Sequence, residues 1–161
     1  ELMAVRAQDE NVALLFEPND QLPEITFDPD ALHRAILNVV TNAIDVCREV
    51  DDGRVEISTG LDAQRNFAHI CVADNGGGLS EEDRKRIFKM FVSDKGQRGT
   101  GLGLPVSQKI MQEHGGDIRV ESTPGEGSRF YLEFPATFAE QEEESMATGD
   151  DSDMTREHEV P

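Results

Sequence analysis

The sequence predicts an α/β fold, and three patterns carry that expectation. A long amphipathic helix occupies residues 28–48, strand-like runs follow at 54–59 and 67–73, and a glycine loop at 99–103 opens another helix ahead of a closing hairpin. With 161 residues the chain has the length of one domain with a real core.

The elements follow in order. Leu2 to Gln8 is expected to be helical, and Val12, Leu14 and Phe16 alternate as in a strand with one buried face. Asn19, Asp20 and Pro23 mark a loop, and Ile25 and Phe27 suggest a short strand. Asp28-Pro29-Asp30 starts the long helix, with either aspartate as its cap. Leu32, Ile36, Val39, Val40, Ala43, Ile44 and Cys47 recur at helical spacing and give it an apolar face. Asp51-Asp52-Gly53 is a turn between this helix and the strand from Arg54 to Thr59. In the next strand Phe67, His69 and Cys71 lie opposite Ala68, Ile70 and Val72, so it is apolar on both sides and belongs at the centre of a sheet. Ser80 caps a helix expected over 81–91, with Asp83 completing the capping box. Residues 93–100 form a charged, glycine-rich segment expected to be mobile. A helix over 101–113 ends at His114-Gly115-Gly116, and Pro124 to Gly127 turns the final hairpin.

Organisation changes near residue 139. The folded domain is expected over 1–138 and a disordered acidic tail over 139–161, where Arg156 faces a run of Asp and Glu. The formal net charge of −18 argues against a nucleic-acid partner, because phosphates would be repelled. A small phosphorylated ligand stays compatible with that charge, since salt screens beyond about 8 Å. Cys47 and Cys71 lack disulfide or metal spacing and are expected to be buried thiols in a reducing compartment. No apolar run approaches a membrane span. The chain opens on Glu1 and is expected to be part of a longer protein.

Three motifs carry chemistry. Asn38, Asn42 and Asp45 share one face of the long helix, opposite its apolar side. That face is either simply solvated or supplies amide oxygens, which suit Mg2+. Asp74-Asn75-Gly76-Gly77-Gly78 follows the central strand. A turn explains part of it. Three glycines also let backbone approach a flat ligand, with the Asp74 carboxylate accepting from an exocyclic amine such as that of adenine. Gly99-Thr100-Gly101-Leu102-Gly103-Leu104 precedes a helix, whose first N–H groups can bind phosphate. It is neither a dinucleotide fingerprint nor a Walker loop. Lys95 and Arg98, just before it, are ordinary loop cations or contacts to a terminal phosphate. His33, His69 and His114 are read as structural.

In this order the boxes resemble the catalytic and ATP-binding domain of sensor histidine kinases, in the wider Bergerat-fold group shared with gyrase, mismatch-repair ATPases and heat-shock chaperones. The resemblance covers about residues 10–136. Asn38 to Ala43 resembles the family's asparagine box, Asp74 to Gly78 its first glycine box, Ile87 to Phe91 its phenylalanine box and Gly99 to Leu104 its second glycine box. His114 to Ile118 and Gly127-Ser128-Arg129-Phe130 resemble its ending.

The resemblance implies a two-layer α/β sandwich with a mixed, mostly antiparallel sheet, helices on one face, and ATP held between helices under a mobile lid. It implies that Asn42 holds Mg2+, Asp74 selects adenine, Gly76 and Gly78 line the base, and Lys95 positions the γ-phosphate. Arg98 and the stretch Gly99, Thr100, Gly101, Leu102, Gly103 and Leu104 would meet the phosphates, and Asn38, Asp45 and Ser128 complete the nucleotide-binding set. Hydrolysing members carry a glutamate at the position of Asn38 as general base, and an amide cannot take that proton at neutral pH. Phosphoryl transfer to a protein is therefore favoured over a gyrase- or chaperone-like ATPase, with a non-catalytic nucleotide-sensing module as the other alternative. Asp45 departs from the basic residue common there, and Asp94 beside Lys95 departs from the usual lid.

Upstream of the asparagine box no phosphoacceptor histidine followed by an acid and, a few residues later, a proline is seen. The expected partners are thus ATP, a helical-hairpin phosphoacceptor domain of the same parent protein and a downstream response regulator. The fragment is expected to be a monomer that does not label itself, from a homodimeric parent acting in the cytoplasm or tethered to its membrane.

Overall fold

A computed structural model describes residues 2–22, 24–89 and 102–136. Along the chain these form α1 (Leu2–Asp9), β1 (Ala13–Glu17), α2 (Pro29–Cys47), β2 (Arg54–Asp62), β3 (Phe67–Asp74), α3 (Glu81–Arg86), α4 (Gly103–Glu113), β4 (Asp117–Thr123) and β5 (Gly127–Pro135). The five strands make one sheet in the order β1-β2-β3-β5-β4. β1 runs parallel to β2, and every other pair is antiparallel. β3 is central, as its composition requires.

Register puts the two sides of the sheet to different uses. Val55 stands opposite Asp74, Val72 opposite Phe130, and Ile70 opposite Leu132, so these residues share one face. With Ala68, Ile118 and Phe134 they pack against Ala35, Val39, Val40, Ala43, Ile44 and Cys47 of α2 and Ile110 and Met111 of α4. The other face carries Glu56, Ser58, His69, Cys71, Arg129 and Tyr131. There Arg119 pairs with Glu133 at 3.1 Å and lies over the Tyr131 ring, 3.9 Å from its centroid. This is the expected two-layer sandwich.

Local chemistry fixes the ends of the helices. Asp28, not Asp30, caps α2, its carboxylate accepting from the N–H groups of Asp30 and Ala31 at 3.0 and 3.1 Å. Asp28→Ala is expected to cost about 1 kcal/mol, measurable as a lowered urea midpoint. α4 closes in a Schellman motif, with Gly116 N–H donating to Met111 O at 2.8 Å and Gly115 in the left-handed region at φ +78.

Several expectations on element ends change. β1 lies at the sheet edge and Phe16 is 66% exposed, because no described helix covers that end of the strand. Ile25 makes only an isolated bridge, and Phe27 instead stacks on His114 with ring centroids 4.0 Å apart. Strand β2 continues to Asp62, with Gly60 leaving room for the His69 ring above it. α3 stops at Arg86, where Lys89 N–H turns back to Arg86 O and Ile87 and Phe88 pack toward the core. Gly101 and the lid lie outside the described residues, as does the acidic tail. Both cysteines are buried free thiols, and burial pushes both thiol pKa values up.

Candidate functional site

Asp74 ends β3 on the helix-covered face and is 9% exposed. Its Oδ1 accepts from Gly76 N–H at 2.9 Å. Burial raises the carboxyl pKa, and the backbone N–H groups of Gly76 and Ser128 offset part of that rise. A Cβ on Gly76 would meet Val46 Cγ2 at 2.8 Å and Asp74 Oδ1 at 3.0 Å. Only glycine lets this carboxylate sit so close to α2. Val46 itself is 39% exposed, so an apolar wall stands open beside a buried anion.

The other two glycines divide their work. Gly78 has φ +68, and a Cβ there would lie 2.1 Å from Thr123 O. Its smallness serves the docking of this loop onto the β4–β5 turn, which Gly125 N–H fastens to Gly77 O at 2.8 Å. Gly77 is exposed, with nothing within 4 Å of where its Cβ would be. Ser128 is buried, its hydroxyl 2.9 Å from that of Ser122, which in turn accepts from Leu79 N–H.

Asn75, absent from the sequence-derived set, pins the loop from behind. Its Oδ1 accepts from Arg54 N–H at 2.6 Å and its amide donates to Asp52 O at 3.0 Å. Only its place after the strand-ending acid signals this role.

At the other end of the site, Asn38 joins α2 to α4. Its amide nitrogen donates to Gly103 O at 3.1 Å and Ser107 Oγ at 3.2 Å. Ser107, fully buried, donates onward to Ala35 O at 3.1 Å or to Gly103 O at 3.0 Å. Ser107 was not expected; a small polar residue at helical spacing with the apolar Leu104, Ile110 and Met111 is the signal that could have found it. No side chain caps the N-terminus of α4 at Leu102, so the first N–H groups, Gly103 and Leu104, have no capping side chain.

Asn42 lies between these two ends, half-buried on the same side of α2. Asp45 is bound by Arg6 of α1, Nη2 to Oδ1 at 2.7 Å. Lys95, Arg98, Gly99, Thr100 and Gly101 lie outside the described residues. Among the described residues no three His, Cys, Asp or Glu side chains cluster as a metal cage. Asn42 presents a hard amide oxygen, and Mg2+ takes few protein ligands when phosphates and waters complete its shell, so the residues present fit that ion.

The groups along this side of α2 are thus polarised. From Val46 beside Asp74 to Asn38 beside Gly103 is eight residues of helix, about 12 Å at 1.5 Å per residue. A buried carboxylate and an apolar wall mark one end, an uncapped helix N-terminus the other, and the Asn42 amide lies between. That polarity suits a flat base bearing an amine with phosphates trailing from it.

Residues 27–137 match the family described as histidine kinase-, DNA gyrase B-, and HSP90-like ATPase, and the chain belongs to that family. Within it, the similarity runs to histidine kinases. Sporulation kinase E of Bacillus subtilis (strain 168) is 36% identical over 135 residues, covering 84% of this chain and 18% of that protein. The catalytic domain of histidine kinase ThkA superposes with a TM-score of 0.72 at 28% identity, covering 84% of this chain and 88% of that one. Full-length ShkA, solved in complex with AMPPNP, gives a TM-score of 0.76 at 29% identity, covering 86% of this chain and 28% of that one. The chain spans between 18% and 32% of the length of the curated relatives it matches.

Proposed function

We propose that this chain is the ATP-binding catalytic domain of a sensor histidine kinase, which binds Mg-ATP and passes the γ-phosphate to a histidine on a helical-hairpin domain of the same parent protein. The observation that carries the proposal is the polarised row of groups along α2, with Asp74 at one end and the Asn38–Gly103 contact at the other. Asp74 accepts the amine of adenine, and the ring lies against Val46. The N-terminus of α4 meets the phosphates, and Lys95 and Arg98 are assigned to the terminal phosphate by their place in the sequence. Asn42 would hold Mg2+, which when bound neutralises and orients the triphosphate.

Asn38 decides between transfer and hydrolysis. An amide whose nitrogen already donates to Gly103 O and Ser107 Oγ is no general base for water. The parent is a homodimer through the hairpin, works on the cytoplasmic side and hands its phosphate to a response regulator. No described helix is long and apolar enough to cross a membrane.

Calorimetry with ATP and ADP, with and without Mg2+, is expected to show saturable binding of both, ATP tighter with Mg2+. Addition of a histidine-bearing hairpin domain and γ-labelled ATP should give acid-labile label on the hairpin. Steady phosphate release without any acceptor, and no labelled hairpin, would overturn the transfer assignment.

A further inference from the structure

We infer that Arg6 is a positioning residue for the triphosphate: from α1 it brings a positive charge to a side of α2 that carries no lysine or arginine of its own. The inference rests on the nucleotide site proposed above. Asn38, Thr41, Asn42, Asp45 and Val46 fall along one side of α2. Among them are no lysine or arginine and one carboxylate, Asp45, three residues beyond Asn42. An unneutralised Asp45 would repel a polyphosphate laid beside Asn42.

Arg6 answers that charge directly. Its Nη2 lies 2.7 Å from Asp45 Oδ1. α1 is held there by the Thr41 hydroxyl, 3.7 Å from Met3 Sδ, and by Ala7, which is 1% exposed in the core. The pose is not one that helix packing alone would select, for Arg6 Nε is buried with no hydrogen-bond partner, and an orphaned buried donor opposes folding. The side chain nonetheless remains 41% exposed. A guanidinium carries five donors in a planar fork and can hold a carboxylate and a phosphate oxygen together. Asp45 then serves as the anchor that orients Arg6 toward the phosphates, and the pair turns an unfavourable acid into part of the site.

The test titrates the full chain, its Arg6→Ala and Asp45→Asn variants and the double variant with Mg-ATP and with adenosine, following each by calorimetry. Arg6→Ala is expected to weaken Mg-ATP binding by about tenfold or more, the scale of one lost charge-assisted contact, and to leave adenosine binding unchanged. Adding Asp45→Asn to Arg6→Ala should recover part of the ATP affinity, because one carboxylate beside the phosphates is then gone. Asp45→Asn alone keeps an amide oxygen to accept from Arg6 and removes the like charge, so it should bind ATP at least as tightly as the parent chain; weaker binding there would overturn the inference even where Arg6→Ala fails to fold. Equal losses for ATP and adenosine, no loss at all, or no recovery in the double variant would each overturn the inference while leaving the nucleotide site intact. Failure of the unmodified chain to bind either ligand would instead overturn the nucleotide site itself, and the role of Arg6 with it.

Discussion

Asp74→Asn is expected to move stability and ligand affinity in opposite directions. Burial raises the Asp74 carboxyl pKa above its unfolded value, and the N–H groups of Gly76 and Ser128 do not fully offset it. A carboxyl with a raised folded pKa favours the fold most below the ordinary carboxylate range. That contribution is lost as pH rises through the raised value. At neutral pH the ionised acid therefore opposes folding. The amide keeps an oxygen for Gly76 N–H without the charge, so the ligand-free variant should melt higher and lose this part of the pH dependence. Binding should suffer, because the amide replaces a charge-assisted acceptor for the adenine amine. The loss of about 1.5–3 kcal/mol corresponds to roughly 10- to 100-fold in ATP affinity. Melting curves from acid to neutral pH, paired with ATP titration, check both halves. Unchanged ATP affinity in a folded variant would remove Asp74 from the base-binding role.

Gly78→Ala is expected to be the more damaging change to the fold. An added Cβ would lie 2.1 Å from Thr123 O, in a backbone at φ +68 that disfavours side chains, and backbone on both sides leaves little room to yield. Strain of this kind costs about 1–3 kcal/mol at a left-handed position alone, and steric overlap adds to it. The loop carrying Asp74 should peel from the β4–β5 turn, so nucleotide binding falls with stability. Gly77→Ala is the contrast. With nothing within 4 Å of the new atom, its stability should stay within about 0.5 kcal/mol of the parent chain. Loss of ATP affinity there without loss of stability would place the ligand over Gly77. Urea midpoints and ATP titration for both variants separate a glycine needed for packing from one needed for ligand access.

The contrast shows what the sequence could reveal. The glycine box is legible as a place where backbone must come close to something. Which neighbour each glycine admits is not, because Thr123 lies more than forty residues from Gly78 and reaches it only through the pairing of β4 with β5. The long helix was readable to within two residues of its cap because periodicity and capping are local, and the choice of Asp28 over Asp30 came from the structure. Phe16 misled because alternation identifies a face and not what covers it. Asn38 was visible as one of a pair on a helix. Its tie to Gly103 and Ser107 depends on how α4 crosses α2, which spacing within either helix does not encode. Arg6 gave no local sign at all, since its meaning depends on Asp45, thirty-nine residues away.

The grip on Asn75 and Gly76 has a consequence for the chemical lifetime of the chain. An Asn-Gly bond ages when the glycine nitrogen attacks the preceding side-chain amide, closing a succinimide ring that reopens largely to isoaspartate. Here that nitrogen points its proton at Asp74, and the amide it would attack is fastened to Arg54 and Asp52. The folded domain thereby shelters its own most perishable link, and damage at this bond accumulates at the pace of unfolding.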